Sequence, residues 1–338
     1  QNYSRKVITS NDLPTIILTL YALKDGRIAI GGKSYLSIYN LKTRKVDIKI
    51  NLRNDKVKFI LQLSDNKLFY FTYNYETEGP HTDEYFYNYL VELSGNTYKN
   101  MTQILPVEAK YNIMREHSDK ILFGGINYLI RHEKYYTTNA FGEKRIDKLE
   151  KFEINDENKS DIEDHFQEKY QISCSVNIDF IDFIVLNKNL IAVLLINRLD
   201  FYDVNKLIKI KSSSKINNLY TCVKMAYFSD NLIIVGTTRS IEIFDYANFK
   251  TIKSIFCVYP IKTIYVNKNK VFIGESDSYD PFKRCAHNRI TEYEIDETGK
   301  YKQNYSLNNS HDNEITDFIQ VEDGRLITSS FTQVLILS

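Results

Sequence analysis

Two short clusters in this 338-residue chain hold residue types able to do chemistry. Cys285 and His287 stand close enough for a thiol with its base or for two metal ligands, and His81, Asp83 and Glu84 have the donors for a cation. Neither set is complete, because no further ligand or orienting group follows at a recognisable spacing. The chain has no phosphate-cradling glycine loop, no zinc-protease helix motif and no nucleophile elbow. Nearly all of its 12 glycines fall at turns or strand ends, which leaves no material for a nucleotide loop. The expectation is therefore no catalytic residue, no metal and no cofactor.

Composition narrows the class further. With 44 Lys and Arg against 43 Asp and Glu, the formal net charge is +1, so nothing draws the whole molecule to phosphate backbones or anionic lipid. A nucleic-acid partner is not expected. The densest apolar run, 180–196, is broken by Asp182, Asn187, Lys188 and Asn189, so no membrane span is expected. Cys174, Cys222, Cys257 and Cys285 lack the paired spacing of zinc ribbons or disulfide frameworks, and a reducing, cytoplasmic compartment is the simpler reading. Sequons at Asn2, Asn100, Asn158, Asn304 and Asn308 are of the number that abundant asparagine produces by chance. The chain opens on Gln1 with neither methionine nor a signal-peptide pattern, which reads as an excised domain or a processed chain, with a removed signal or further domains of the same polypeptide as the open alternatives.

The elements that must position any site are set by a repeat. Seven times a short polar turn precedes a run of β-formers: Asp25-Gly26, Asp65-Asn66, Ser118-Asp119, Asn187-Lys188-Asn189, Asp230-Asn231, Asn267-Lys268-Asn269 and Asp323-Gly324. Asn, Asp and Gly tolerate the positive φ that tight hairpins demand. In the first unit the strands read 16–23, 27–31, 35–40 and 46–50, a four-stranded meander, and the later units keep that order. The regular units recur at roughly 40 residues, the period of a propeller blade. Isolated meanders leave both faces uncovered, so they must stack radially.

The third strands end in an aromatic residue followed by an acid or amide: Tyr39-Asn40, Phe152-Glu153, Tyr202-Asp203, Phe244-Asp245 and Tyr293-Glu294. In this the chain resembles a divergent WD-repeat β-propeller. It departs from the family in having no tryptophan, in reading Val91-Glu92 and Leu337-Ser338 in the second and seventh units, and in showing the histidine before the first strand clearly only as His311. The fold expected is all-β, a seven-bladed β-propeller of four-stranded antiparallel blades in a single domain, 1–338. Its blades run approximately 11–52, 53–105, 106–175, 176–213, 214–258, 259–307 and 308–338 plus 5–10. The seventh unit stops after its third strand, so the spare stretch near 6–9 is expected to close the last blade from the N-terminus.

Strand parity then assigns the insertions to faces. Residues 73–84, 132–147 and 276–288 read as connections between second and third strands of blades two, three and six, all on one face. The acidic insertion 155–169 falls on the other, with Ile162, Phe166 and Tyr170 at helical spacing. The shared-face insertions are rich in tyrosine and basic residues, the types that anchor protein interfaces most often. Tyr73, Tyr75, Tyr135, Tyr136, Arg145, Tyr279, Lys283 and Arg284 are the candidate partner-binding residues. What the resemblance implies is a non-catalytic interaction scaffold that presents a loop-rich face to a protein or peptide. The alternative is a propeller enzyme or ligand binder using the central funnel; a nucleic-acid or phosphoinositide binder is a weaker third reading.

Overall fold

Four of the seven polar turns take the positive φ that tight hairpins demand. Gly26, Asn66, Lys268 and Gly324 take φ of +82°, +68°, +55° and +87°, the left-handed region that costs glycine and asparagine least. Three leading aspartates also hold their turns: Asp25, Asp65 and Asp323 accept from the backbone N–H two residues on, at 3.0, 3.3 and 3.1 Å. The computed structural model describes residues 3–78, 81–102, 111–117, 120–125, 128–133, 136–138, 144–146, 149–153, 180–203, 209–213, 216, 222–277 and 287–338. Among them there is no helix long and apolar enough to cross a membrane. The helix expected near 155–169, together with Cys174 and Cys285, lies outside the described residues.

The strands form antiparallel sheets in which chain order is sheet order. Four strands make up each of the fourth to sixth units: Phe180–Val185 to Lys209–Ser212, Cys222–Tyr227 to Lys250–Phe256, and Ile261–Asn267 to Tyr301–Asn308. The last sheet, from Ile315–Gln320 through Leu326–Ser330 and Val334–Leu337, takes Arg5–Ile8 as its outer strand, with Arg5 opposite Leu337 and Ile8 opposite Val334. Units one and two share one six-stranded sheet. The segment Lys45–Gln62 pairs through its first half with Ile28–Asn40 and through its second half with Leu68–Glu78, and the pair Lys33 and Lys56 stitches the two units together.

Two departures from the sequence reading change where side chains go. In the second unit residues 73–84 are not a loose loop. Leu68–Glu78 and His81–Ser94 stay paired from Leu68 opposite Val91 out to Glu78 opposite His81, so the insertion is a two-stranded arm. In the third unit the strand order is Tyr111–His117, Lys120–Gly125, Tyr128–Glu133 and Leu149–Glu153. Phe152-Glu153 therefore ends a fourth strand, and His132-Glu133 ends the third. The insertion after His132 joins third to fourth strands, and parity moves it to the face opposite the arm. Within the displaced insertion Tyr136–Thr138 pairs with Lys144–Ile146 as a small hairpin.

One irregularity recurs in every first strand. A bulge interrupts its pairing with the second strand between Ile17 and Thr19, Val57 and Phe59, Tyr111 and Ile113, Phe180 and Asp182, Cys222 and Lys224, Ile261 and Thr263, and Ile315 and Asp317. Opposite it stand Gly31 and Gly274 in units one and six, where a Cβ would come within 2.7 Å of Val57 and Ile315 in the next unit's first strand. Absence of a side chain there lets neighbouring sheets close on one another. A second bulge precedes Tyr39, Val91, Tyr202, Phe244 and Tyr293 on the side facing the fourth strand. These residues, and Leu337, are buried; the terminal aromatic of the third strand is a packing position, filled by Val and Leu where the aromatic is missing.

Packing runs from each sheet to the next. Ile50, Val57 and Tyr70 join units one and two; Phe201, Val235 and Phe244 join four and five; Ile243, Ile264 and Tyr293 join five and six. Phe272 meets Phe318, and Ile8, Ile30 and Ile327 share a cluster between the last unit and the first. Cys222 and Cys257 are buried free thiols, both pushed up to about 12, chiefly by burial. His311 is buried ahead of the last unit's first strand. Its Nε2 lies 2.7 Å from Thr328 Oγ1, while Asn288 holds its backbone on both sides. Burial, with some help from the Arg5 charge, lowers its pKa to about 3.

That burial has a consequence in acid. Between about pH 6.5 and 3 the unfolded chain binds a proton at His311 that the folded chain refuses, so this residue's contribution declines as pH falls through that window. The expected slope from His311 approaches ~1.4 kcal/mol per pH unit. Denaturant titrations of the parent and of H311Q should diverge below pH 6.5, with the variant less acid-sensitive. Parallel curves for the two would show that His311 is not held neutral.

Candidate functional site

Alternating strand direction puts the second-to-third and fourth-to-first connections, where they are described, on one face. Residues at the bulges, or in the third unit two positions beyond it, approach one another from unit to unit. Asp182 is 3 % exposed and its Oδ1 lies 3.4 Å from Arg115 of the preceding unit. Its Oδ2 accepts from Met225 N of the following unit at 3.3 Å. Asp317 repeats the device: Oδ2 accepts from Leu20 N at 2.9 Å and from Thr19 Oγ1 at 3.3 Å, both in unit one. Each aspartate also accepts from its own next residue, at 2.8 Å for Phe183 and 2.9 Å for Phe318. Lys224 donates to Thr263 Oγ1 at 3.1 Å and stands 3.6 Å from Asp317. Arg115 also covers the Phe59 ring at 5.6 Å.

Arg115, Asp182, Lys224, Thr263, Asp317, Thr19 and Phe59 thus form a belt with one residue from each first strand. Its charges alternate in sign and are engaged by neighbours. Burial raises the Asp182 pKa, against the pull of Arg115 and Lys224. Sequence spacing could not find this belt, since Arg115 and Asp182 are 67 positions apart. Nothing about either residue alone marks it.

The rim of the arm's face carries two distinct surfaces. At units five and six, Phe256 and Val258 are 69 % and 54 % exposed. Beside them Tyr259 stacks on His287 with ring centroids 5.6 Å apart. The nearby pair Glu275 and Arg289 is internal, joined at 2.7 Å, with Glu275 also accepting from Val258 N and Tyr259 N at 2.9 and 3.2 Å. At units one and two, Lys33, Lys56 and Tyr73 lie in one cross-strand row. The ammoniums of Lys56 and Lys58 stand 5.3 and 5.8 Å from the Tyr73 ring centroid, and that of Lys49 stands 4.0 Å from Tyr35.

The expected contact residues separate accordingly. Tyr73 sits at the root of the arm, and Tyr75 follows within it, opposite Glu84. Tyr136 and Arg145 belong to the third unit's hairpin, opposite Ile146 and Thr137, and so to the other face. Tyr135, Tyr279, Lys283 and Arg284 lie outside the described residues. Phe256, Val258, Lys33, Lys56 and Lys58 were not among the sequence candidates, because they border strands that read as ordinary core-facing segments. Of the two chemical clusters, His287 is exposed and stacked as above, and Asp83 lies opposite Glu76 in the arm. Among the described residues no group of three metal-ligating side chains gathers.

No family model and no curated protein matches the chain. Solved structures do. A chain of the mitotic checkpoint complex superposes with a TM-score of 0.68 at 10% identity, covering 98% of this chain and 93% of its own. The WD40 β-propeller domain of Doa1 gives 0.68 at 10% identity over 100% and 97%. A streptogramin B lyase gives 0.66 at 11% identity over 100% and 98%. At such identities the likeness establishes the fold, an all-β propeller of the kind found in WD40 domains.

Proposed function

We propose that this chain is a non-catalytic scaffold for protein interaction, a closed seven-bladed propeller whose arm-bearing face binds a protein or peptide. The seven bulged first strands, the belt they build and the N-terminal strand in the last sheet support the closed ring as a single domain, 1–338. The observation that carries the function is the exposed pair Phe256 and Val258, beside a stacked aromatic pair, on the face from which the second blade's arm projects. Exposed apolar side chains next to aromatic ones are what a partner can desolvate with profit. The Doa1 domain and the checkpoint-complex chain lend the fold-level analogy, which by itself fixes no partner.

The lyase keeps a funnel enzyme as the rival reading. Against it, the carboxylates of the belt are spent on tying first strands together, since each accepts backbone N–H groups from two units. The free thiols of Cys222 and Cys257 fit a reducing compartment, and we assign the chain to the cytoplasm.

The test is capture of partners from extract by the immobilised parent, by F256A/V258A, and by a variant whose arm is cut back to a short turn after Tyr73. Loss of the apolar pair should weaken capture by ~2 kcal/mol, with melting unchanged. Equal capture by all three would remove the binding function from this face.

A further inference from the structure

The geometry points to a peptide segment with an apolar side chain two residues from an aspartate or glutamate as the ligand of the surface around Arg239, Phe256 and Val258. This deepens the protein-binding reading and rests on it. Arg239 lies in the connection between second and third strands of unit five, beside the end of that unit's fourth strand. Its backbone oxygen accepts from Cys257 N at 2.8 Å, and its neighbour Ser240 stands opposite Phe256. Arg239 is exposed, as are Phe256 and Val258. Its side chain donates only a long bond, from Nη1 to Val258 O at 3.4 Å, and among the described residues no carboxylate pairs with it. The carboxylates of the neighbouring strands are taken. Glu242 and Glu275 are buried, Glu242 accepting from Ser240 Oγ and Ser254 Oγ and Glu275 from the Arg289 guanidinium at 2.7 Å. Asp277 accepts from His287 N at 3.1 Å.

An exposed guanidinium beside exposed apolar side chains sets two requirements at once. The guanidinium is a planar fork whose remaining N–H donors match a carboxylate. Phe256 and Val258 gain when an apolar side chain covers them. Because Arg239 touches the backbone of Val258, the two subsites adjoin. In an extended segment, side chains two positions apart share a face at ~6.6 Å, the spacing that fills adjoining subsites together. The stacked pair Tyr259 and His287 bounds the patch on the side of unit six. A single cation selects a single carboxylate, whereas a nucleic acid needs several cations along a track. The acidic arm belongs to unit two and is no part of this surface.

The experiment selects phage-displayed random heptapeptides on the immobilised full chain and measures fluorescence anisotropy of the most enriched peptide after labelling. Enrichment of an aromatic residue or leucine two positions from Asp or Glu is expected. Changing that acid to its amide in the peptide should weaken binding by roughly tenfold or more, and R239E should do the same to the unaltered peptide. On R239E the amide peptide should lose little further, since the two changes remove one contact. R239Q guards against a folding defect in R239E and should weaken binding by an intermediate factor, while F256A/V258A should cost roughly tenfold or more. Selection that enriches no peptide, or peptides without an acid at that spacing, overturns the proposal, as does equal binding by parent and R239E. Capture from extract separates the two levels of argument. If R239E captures as the parent does while F256A/V258A fails, the proposal of an acid beside the apolar anchor falls alone; if neither variant alters capture, the function of the face falls with it.

Discussion

Deleting residues 1–10 is expected to destabilise the protein by ~4 kcal/mol or more, far beyond the tenths expected of a loose tail. The segment does several things at once. Arg5–Ile8 supplies the last sheet's outer ladder, and Ser4 and Ser338 exchange backbone hydrogen bonds at 2.8 and 3.2 Å. Ile8, 5 % exposed, packs in the cluster that joins the last unit to the first. Tyr3 donates to Glu292 at 2.7 Å, reaching the sixth unit. Burial of one isoleucine is worth ~2 kcal/mol, and each net hydrogen bond adds ~1 kcal/mol. Removal also bares the apolar edge Val334–Leu337 to other chains. Denaturant melts of the truncated protein check this, with I8A in the full chain expected to cost about half as much. An unchanged midpoint would show that the last sheet does not depend on this strand.

The second large effect is expected at the belt. Asp182→Ala removes a carboxylate shared by Phe183 N, Met225 N and Arg115, and leaves buried donors without an acceptor. The cost should be ~3 kcal/mol. The equivalent substitution Asp317→Ala should cost less, ~1–2 kcal/mol, because its carboxylate is 16 % exposed against 3 % for Asp182 and water can replace part of what is lost. Asp182→Asn, which keeps one acceptor oxygen, should fall between the parent and the alanine variant. Equilibrium unfolding of the three variants tests the ranking. A larger loss at Asp317 than at Asp182 would mean that burial does not set the strength of these ties.

The parts of this fold that rest on local rules could be read from residues alone. Asp25-Gly26 and Asp323-Gly324 specify their turns through positive φ and an aspartate acceptor, and both rules act within four residues. The third blade defeated the same reasoning for a definable reason. Its third strand, Tyr128–Glu133, ends in His132-Glu133, where the other regular blades end in Tyr or Phe, while Phe152-Glu153 imitates the usual ending one strand later. The error carried Tyr136 and Arg145 to the wrong face, since one strand more or less reverses parity. The belt and the lysine row were illegible for another reason. Their members meet only after the sheets have assembled, and no spacing encodes Arg115 beside Asp182 or Lys33 across from Lys56.

The shared sheet of blades one and two also alters how a bound partner would load the molecule. Elsewhere among the described residues neighbouring units are joined by packed side chains and by single backbone hydrogen bonds, such as Ile17 N to Phe331 O at 2.8 Å and Cys222 N to Ile196 O at 2.7 Å. Between these two the backbone ladder is continuous, from the arm's far pair, Glu78 and His81, through Tyr73 and Lys56 to Lys33. A pull on the arm is therefore borne in shear by peptide hydrogen bonds across two blades. The arm is thereby tied by backbone pairing to both of the first two units.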